Sequence, residues 1–300
     1  MNTSQQGILL AVLAYVTWGL GAIYFKLLSD VPAKEMLSHR IFWSFILITV
    51  IMLLSNRWRI LGSLCKQPKK LLMLVTSGLL IVTNWFVFIY AIGTDQLLEA
   101  SLGYYINPLL TILLGLVFYK EKLSRFQWVS ISLAFLGVLI QIIIVGTLPW
   151  ISLILAVTFS VYGLLRKIAN VDSFAGLAVE LFSVFFVAVY YLFFNETSQT
   201  GNLLENGIYL NLMLAAAGII TTTPLLFFAG AAKKLNLSAL GFLQYITPSM
   251  IWLMAVFIYH EPVTQSVLIT FCFIWAALLV FSFDGIYQRH QNLKAAVTAR

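Results

Sequence analysis

The chain has 300 residues, 61% of them hydrophobic and 10% charged, with a net charge of +7 and a mean hydropathy of +0.95. Soluble domains carry about 25% charged residues, so this composition excludes a water-soluble core and requires a bundle embedded in a lipid bilayer. Lysine and arginine lie in short loops rather than on one face, which argues against nucleic acid as a partner.

Apolar runs that are continuous rather than alternating select helices over a closed barrel. In chain order, ten spans are predicted, at roughly 7–28, 35–55, 71–92, 97–119, 126–145, 149–166, 174–194, 210–231, 237–259 and 263–283. The first follows MNTSQQG, which lacks a basic leader, and is long enough to cross, so it reads as a retained helix. Cys65 lies in a basic loop and Cys272 in an apolar run, which suggests neither a disulfide nor a metal site. No GxxxxGK[ST], HExxH or GxSxG string occurs, so no cofactor is expected and the chain reads as a non-enzyme.

Positive charge sets the expected direction of crossing. Of the 18 Lys and Arg, 15 fall in the loops after spans two, four, six and eight or in the tail, from Arg57 and Arg59 to Lys294 and Arg300. The opposite loops hold only Lys34, with Lys26 and Arg40 inside span ends. Both termini are therefore predicted to be cytoplasmic.

An internal echo organises the spans. Leu97, Tyr105, Ile106, Pro108, Leu113, Tyr119 and Glu121 return 140 residues later as Leu237, Tyr245, Ile246, Pro248, Leu253, Tyr259 and Glu261. Gly78, Thr83 and Ala91 match Gly218, Thr223 and Ala231 at the same offset. Five spans per half is an odd number, so the halves must cross in opposite senses. The predicted fold is an all-α integral membrane protein of ten transmembrane helices in two inverted five-helix repeats, 1–145 and 149–284, with a cytoplasmic tail at 285–300. This is a common build of secondary transporters. Glu121 would then cap the fourth span inside and Glu261 the ninth span outside.

Pro108 and Pro248 stand midway along their spans, where each displaces the carbonyl four residues earlier, on Tyr104 and Gln244. Freed carbonyls in lipid need partners, so such helices line protein or water. Ser101, Tyr104, Tyr105 and Pro108 share one helix face, and Gly241, Gln244, Tyr245 and Pro248 share another. These two faces are the candidate central cavity; a kink that only serves packing is the alternative. The predicted substrate-binding set is Asn84, Trp85, Ser101, Tyr104, Tyr105, Asn107, Gln244 and Tyr245. The matched positions differ in places: Tyr104 faces Gln244 and Asn107 faces Thr247, so the site is only pseudo-symmetric.

Charges within the spans form a second group. Glu35 and His39, four apart, can face each other near the outer boundary. Lys26 closes the first span and Glu99 opens the fourth on that same side. Arg40 lies deeper and calls for a partner such as Glu35 or Glu99. Glu180 has no basic residue within a turn, and a carboxyl alone at that depth could carry a coupling proton; His39 is the other candidate. Thr221-Thr222-Thr223-Pro224 also places hydroxyls at depth, where hydrogen bonds between helices are an equal explanation.

At these residues the chain resembles the RarD permeases, the chloramphenicol-sensitive branch of the EamA-type drug/metabolite transporter superfamily. The strings that carry the likeness are Thr17-Trp18-Gly19, Tyr24-Phe25-Lys26, His39-Arg40-Ile41-Phe42-Trp43-Ser44, Asn84-Trp85 and Leu98-Glu99-Ala100-Ser101-Leu102-Gly103-Tyr104. Tyr162-Gly163-Leu164-Leu165-Arg166-Lys167 and Leu240-Gly241-Phe242-Leu243-Gln244-Tyr245-Ile246-Thr247-Pro248 continue it into the second half. The resemblance implies two EamA repeats, a bacterial inner-membrane location and transport of a small organic metabolite or drug. One departure stands out: Gly-Glu often ends helices four and nine in the superfamily, whereas Lys120-Glu121 and His260-Glu261 stand here. The rival readings are an integral-membrane enzyme built on His39 and Glu35, a scaffold or sensor, and a channel.

Overall fold

The structure is a computed structural model that describes residues 3–28, 30–94, 97–145, 150–195, 198–258 and 265–298. Side chains at 92–93, 97–99, 101–102, 141, 145, 255, 266–267 and 288–298 lie outside that description.

Every regular element among the described residues is an α-helix: α1 Thr3–Lys26, α2 Ala33–Leu54, α3 Trp58–Cys65, α4 Pro68–Gly93, α5 Leu97–Tyr119 and α6 Arg125–Val145, then α7 Trp150–Ala169, α8 Ser173–Phe193, α9 Ile208–Lys234, α10 Leu237–Gln244, α11 Ile246–Phe257 and α12 Gln265–Thr298. Nine stretches of described helix are long and apolar enough to cross a membrane, counting α10 and most of α11 as one, and Gly103–Tyr119 within α5 is a shorter apolar tenth. The chain is a multi-pass membrane protein. Its outer surface is apolar, with Leu54, Phe186, Val187 and Leu279 largely exposed, as contact with lipid tails requires.

Three features differ from expectation. The amphipathic helix α3 occupies the basic loop after α2 and buries only Leu64. The last helix runs to Thr298 rather than ending near 283. The ninth span is not one helix: it breaks at Tyr245, whose N–H reaches back to Phe242 O at 3.3 Å. By contrast, α5 runs unbroken through Pro108.

The principal helix contacts run between the two halves of the chain. α1 packs on α9, α7 on α4 and α5, α2 on α8 and α9, α6 on α12, and α5 on α10. Small residues allow the closest approaches. A methyl group at Gly78 would stand 2.7 Å from the Glu180 carbonyl oxygen, and one at Gly218 would stand 2.7 Å from the Trp43 backbone.

The turn after α5 resolves the missing glycine. Lys120 itself takes φ 50°, the left-handed conformation that glycine adopts with least strain. That turn points the Glu121 carboxylate at the start of α10, where it accepts from Leu237 N at 2.7 Å, Ser238 N at 2.9 Å and Ser238 Oγ at 2.6 Å. Glu121 therefore caps α10 of the other half, whereas the expectation was that it caps its own helix. A carboxylate at a helix N-terminus satisfies free N–H groups and complements the helix dipole. Its echo, Glu261, lies outside the described residues.

Candidate functional site

A cavity of about 120 Å³ opens between the halves. The C-terminal half of α1 contributes Trp18, Ala22 and Phe25, with Tyr15 at its floor; α2 contributes Arg40 and α7 contributes Phe159. Asn84, Trp85 and Phe88 come from α4, and Tyr104 and Asn107 from α5. Gln244 ends α10, and Thr247, Pro248 and Ile251 follow on α11. These positions put the cavity in the half of the bundle that holds the start of α2.

The expected residues divide cleanly. Asn84, Trp85, Tyr104, Asn107, Gln244, Pro248 and Arg40 line the cavity. Tyr105 and Tyr245 do not. Both are buried beside Ala134, Val138 and Phe271, and the Tyr245 hydroxyl donates to Tyr105 O at 3.2 Å. One residue along a helix is a turn of about 100°, enough to carry each tyrosine off the cavity face and towards α6 and α12. Pro108 turns its carbonyl towards Gly241 of α10, within 2.8 Å of where a methyl group would stand. The side chains of Ser101 and Glu99 lie outside the described residues.

Helix α1 was not foreseen as a wall. Tyr15, Trp18, Ala22 and Phe25 repeat at three- and four-residue steps, one aromatic face that the same periodicity argument would have found. The face is ordered by ring contacts, with Trp18 against Phe159 at 5.5 Å and Phe228 at 5.8 Å.

Polar groups are tied into the walls. Asn84 donates its amide to Leu155 O at 2.8 Å and Thr158 Oγ1 at 2.9 Å. Ser160 Oγ donates to Asn107 Oδ1 at 2.8 Å, and Thr247 Oγ1 donates to Tyr15 O at 2.8 Å. Gln244 is buried with no partner for its Oε1.

The charged residues are placed differently from expectation. Arg40 pairs with neither Glu35 nor, among the described residues, any other carboxylate. Its Nε donates to Thr221 Oγ1 at 3.1 Å, and its guanidinium lies over the rings of Trp85 at 4.4 Å and Phe25 at 4.7 Å. The Glu35 carboxylate instead holds the loop before α9, accepting from Gln199 N and Thr200 N at 2.8 Å each and from the Thr200 hydroxyl. His39 Nε2 meets the same hydroxyl at 3.0 Å, so Glu35 and His39 converge on Thr200 and not on each other. Lys26 ends α1 at an exposed position.

Glu180 is not isolated. Arg166, one helix earlier in the chain, donates to its Oε1 at 3.2 Å, and Ser77 Oγ donates to the same oxygen at 2.6 Å. Both ends of this ion pair are almost fully buried, 2% and 1% exposed. Sequence spacing missed the partner because it comes from a different helix. The pair belongs to the end of the bundle opposite the cavity, where Glu121 caps α10 and Tyr15 OH donates to Leu240 O at 3.1 Å. No cluster of three or more metal-ligating side chains occurs among the described residues.

Comparison with known proteins follows the same lines. Residues 5–143 match the EamA-like transporter family. The chain is 46% identical to Protein RarD of Salmonella typhi, over 96% of this chain and 98% of that one. It is also 46% identical to an uncharacterized transporter of Vibrio cholerae, over 97% of each chain. A crystal structure superposes with a TM-score of 0.70 over 93% of this chain and 98% of the other, at 18% identity, which speaks for the fold alone.

Proposed function

Because this chain belongs to the EamA-like transporter family, among its RarD proteins, we propose that it is a secondary active transporter that carries a small organic molecule across the bacterial inner membrane by alternating access. The observation that carries the reading is the cavity, whose walls come from both halves of the chain and whose polar groups are few and placed. The halves are read as inverted EamA repeats with both termini cytoplasmic. The helix pairing supports this: α1 on α9 answers α7 on α4, and α5 on α7 answers α11 on α1.

On this reading the cavity faces one side while Glu121, Tyr15 and the Arg166–Glu180 pair close the other. Transport requires those contacts to part and equivalent contacts near Glu35, Glu99 and Lys26 to form. Asn84, Trp85, Tyr104, Asn107 and Gln244 contact substrate; Tyr105 and Tyr245 act by packing, and Ser101 stays a candidate on its helix face. Pro108 and Pro248 free backbone carbonyls where the helices meet. Glu180 is the coupling candidate, taking a proton only when the opening of that end releases it from Arg166, and His39 is the second.

Purified protein in proteoliposomes should move at least one metabolite, amino acid or drug under an ion gradient, and no movement under any gradient would sink the transporter reading. Glu180→Gln should abolish pH-driven uptake while binding persists; unchanged pH dependence rules out its coupling role. A membrane enzyme would need a reactive pair at the cavity, and the convergence of His39 and Glu35 on Thr200, away from it, favours the transporter.

A further inference from the structure

Among the described residues, the cavity carries one full charge, Arg40, and no carboxylate on its walls to balance it. Arg40 is buried, 6% exposed, and only its Nε is bonded by a described residue, to Thr221. The rings of Phe25 and Trp85 hold the guanidinium from its faces, which leaves the terminal nitrogens as donors. No aspartate or glutamate lines the cavity among the described residues, and Glu35 is held by Gln199 and Thr200. A lone guanidinium within a bilayer is unfavourable, and ring contacts offset only part of that. An arginine fork matches a carboxylate in two parallel hydrogen bonds.

A second observation concerns the neutral groups. Gln244 lines the same cavity, 6% exposed, with its Oε1 unpartnered. The Asn84 nitrogen is held by Leu155 and Thr158, so its oxygen is the side of the amide left to accept. The described walls therefore offer a cationic donor and neutral acceptors but no anionic acceptor.

We infer that the cavity takes a small organic anion: one carboxylate on Arg40, a neutral N–H or O–H donating to Gln244, and an apolar body against Trp18, Phe88 and Phe159. This rests on the transporter reading above and specifies its substrate class. A molecule with an ammonium group finds no counter-charge among the described residues of this cavity, so a hydroxy or acylamino acid fits better than a zwitterion or a cation.

The test is thermal stability of the full chain in detergent with four probes at equal concentration: 3-phenyllactate, its neutral amide, phenylalanine and 2-phenylethylamine. The acid should raise the midpoint by at least about 2 °C, and the other three by clearly less. Arg40→Lys should weaken the response to the acid about tenfold, because it keeps the charge and loses the fork. No shift with the acid, or an equal shift with its amide, overturns the proposal, and this wild-type comparison stands even if an Arg40 variant fails to fold. Proteoliposomes separate the two levels of inference. An acid that binds through Arg40 but is never carried keeps the anion site and removes the transporter; a neutral solute carried through a cavity that rejects the acid does the reverse.

Discussion

Arg40 and Glu180 stand 140 residues apart, the offset of the internal echo, yet the two buried charges live under opposite terms. Arg40 opens on the cavity, braced by two rings and one threonine hydroxyl, with no carboxylate beside it among the described residues. Glu180 is sealed at the far end, neutralised by Arg166 and bonded by Ser77. Both reach the helix that packs on their own: Arg40 meets α9 through Thr221 and Glu180 meets α4 through Ser77. One position in each half thus bears a buried charge, and the difference lies in what completes it. At Glu180 the protein supplies the counter-ion, so the charge holds helices together. At Arg40 no described residue supplies the counter-ion, and the proposed ligand would complete the charge there.

The largest expected effect tests the paired site. Glu180→Ala leaves the Arg166 guanidinium buried and alone and should lower stability by about 3–5 kcal/mol, read from chemical or thermal unfolding in detergent. The double variant Glu180→Leu with Arg166→Met should recover most of that loss, since a buried pair replaced by apolar groups is often neutral. A double variant as unstable as the single one would mean that the ion pair is not what makes Glu180 matter.

Arg40→Met should separate activity from stability. Removing an uncompensated charge should change stability by less than about 1 kcal/mol, while transport falls about a hundredfold, or ~2.7 kcal/mol in the barrier. A stability loss as large as that of Glu180→Ala would erase the contrast between the two sites.

Close packing gives a third probe. Gly78→Ala places a methyl group 2.7 Å from the Glu180 carbonyl and should cost about 1–3 kcal/mol by pushing α8 from α4. Combined with Glu180→Ala it should be less than additive, because both act on one contact. Full additivity would show that the two changes act on separate contacts.

The smallest expected effect sharpens the Arg40 side. Thr221→Val removes the single described hydrogen bond to the guanidinium and should weaken carboxylate binding by ~1 kcal/mol, seen as about a fivefold rise in the dissociation constant. Stability should scarcely move. A large stability loss with unchanged binding would assign Thr221 to helix packing.

Much of this could be read from residue order alone. Long apolar runs, charged loops and proline positions depend on the chain's own neighbours, and the ten expected spans lie within a few residues of the observed helices except where Tyr245 breaks the ninth and α12 runs on. Membership of the family and half of the cavity wall were equally legible, since Asn84, Trp85, Tyr104, Asn107 and Gln244 are marked by polarity at depth. Tertiary structure decided the partners. Arg166 reaches Glu180 from another helix, Glu121 caps a helix of the other half, and Thr200 draws Glu35 away from Arg40. Rotation about a helix axis decided which face looks inward, turning the expected Tyr105 and Tyr245 away and bringing Thr247 in beside the expected Asn107 and Gln244. Helical periodicity names a face but not what that face meets, because in a bundle wrapped in lipid both sides of a helix are apolar and only packing distinguishes them.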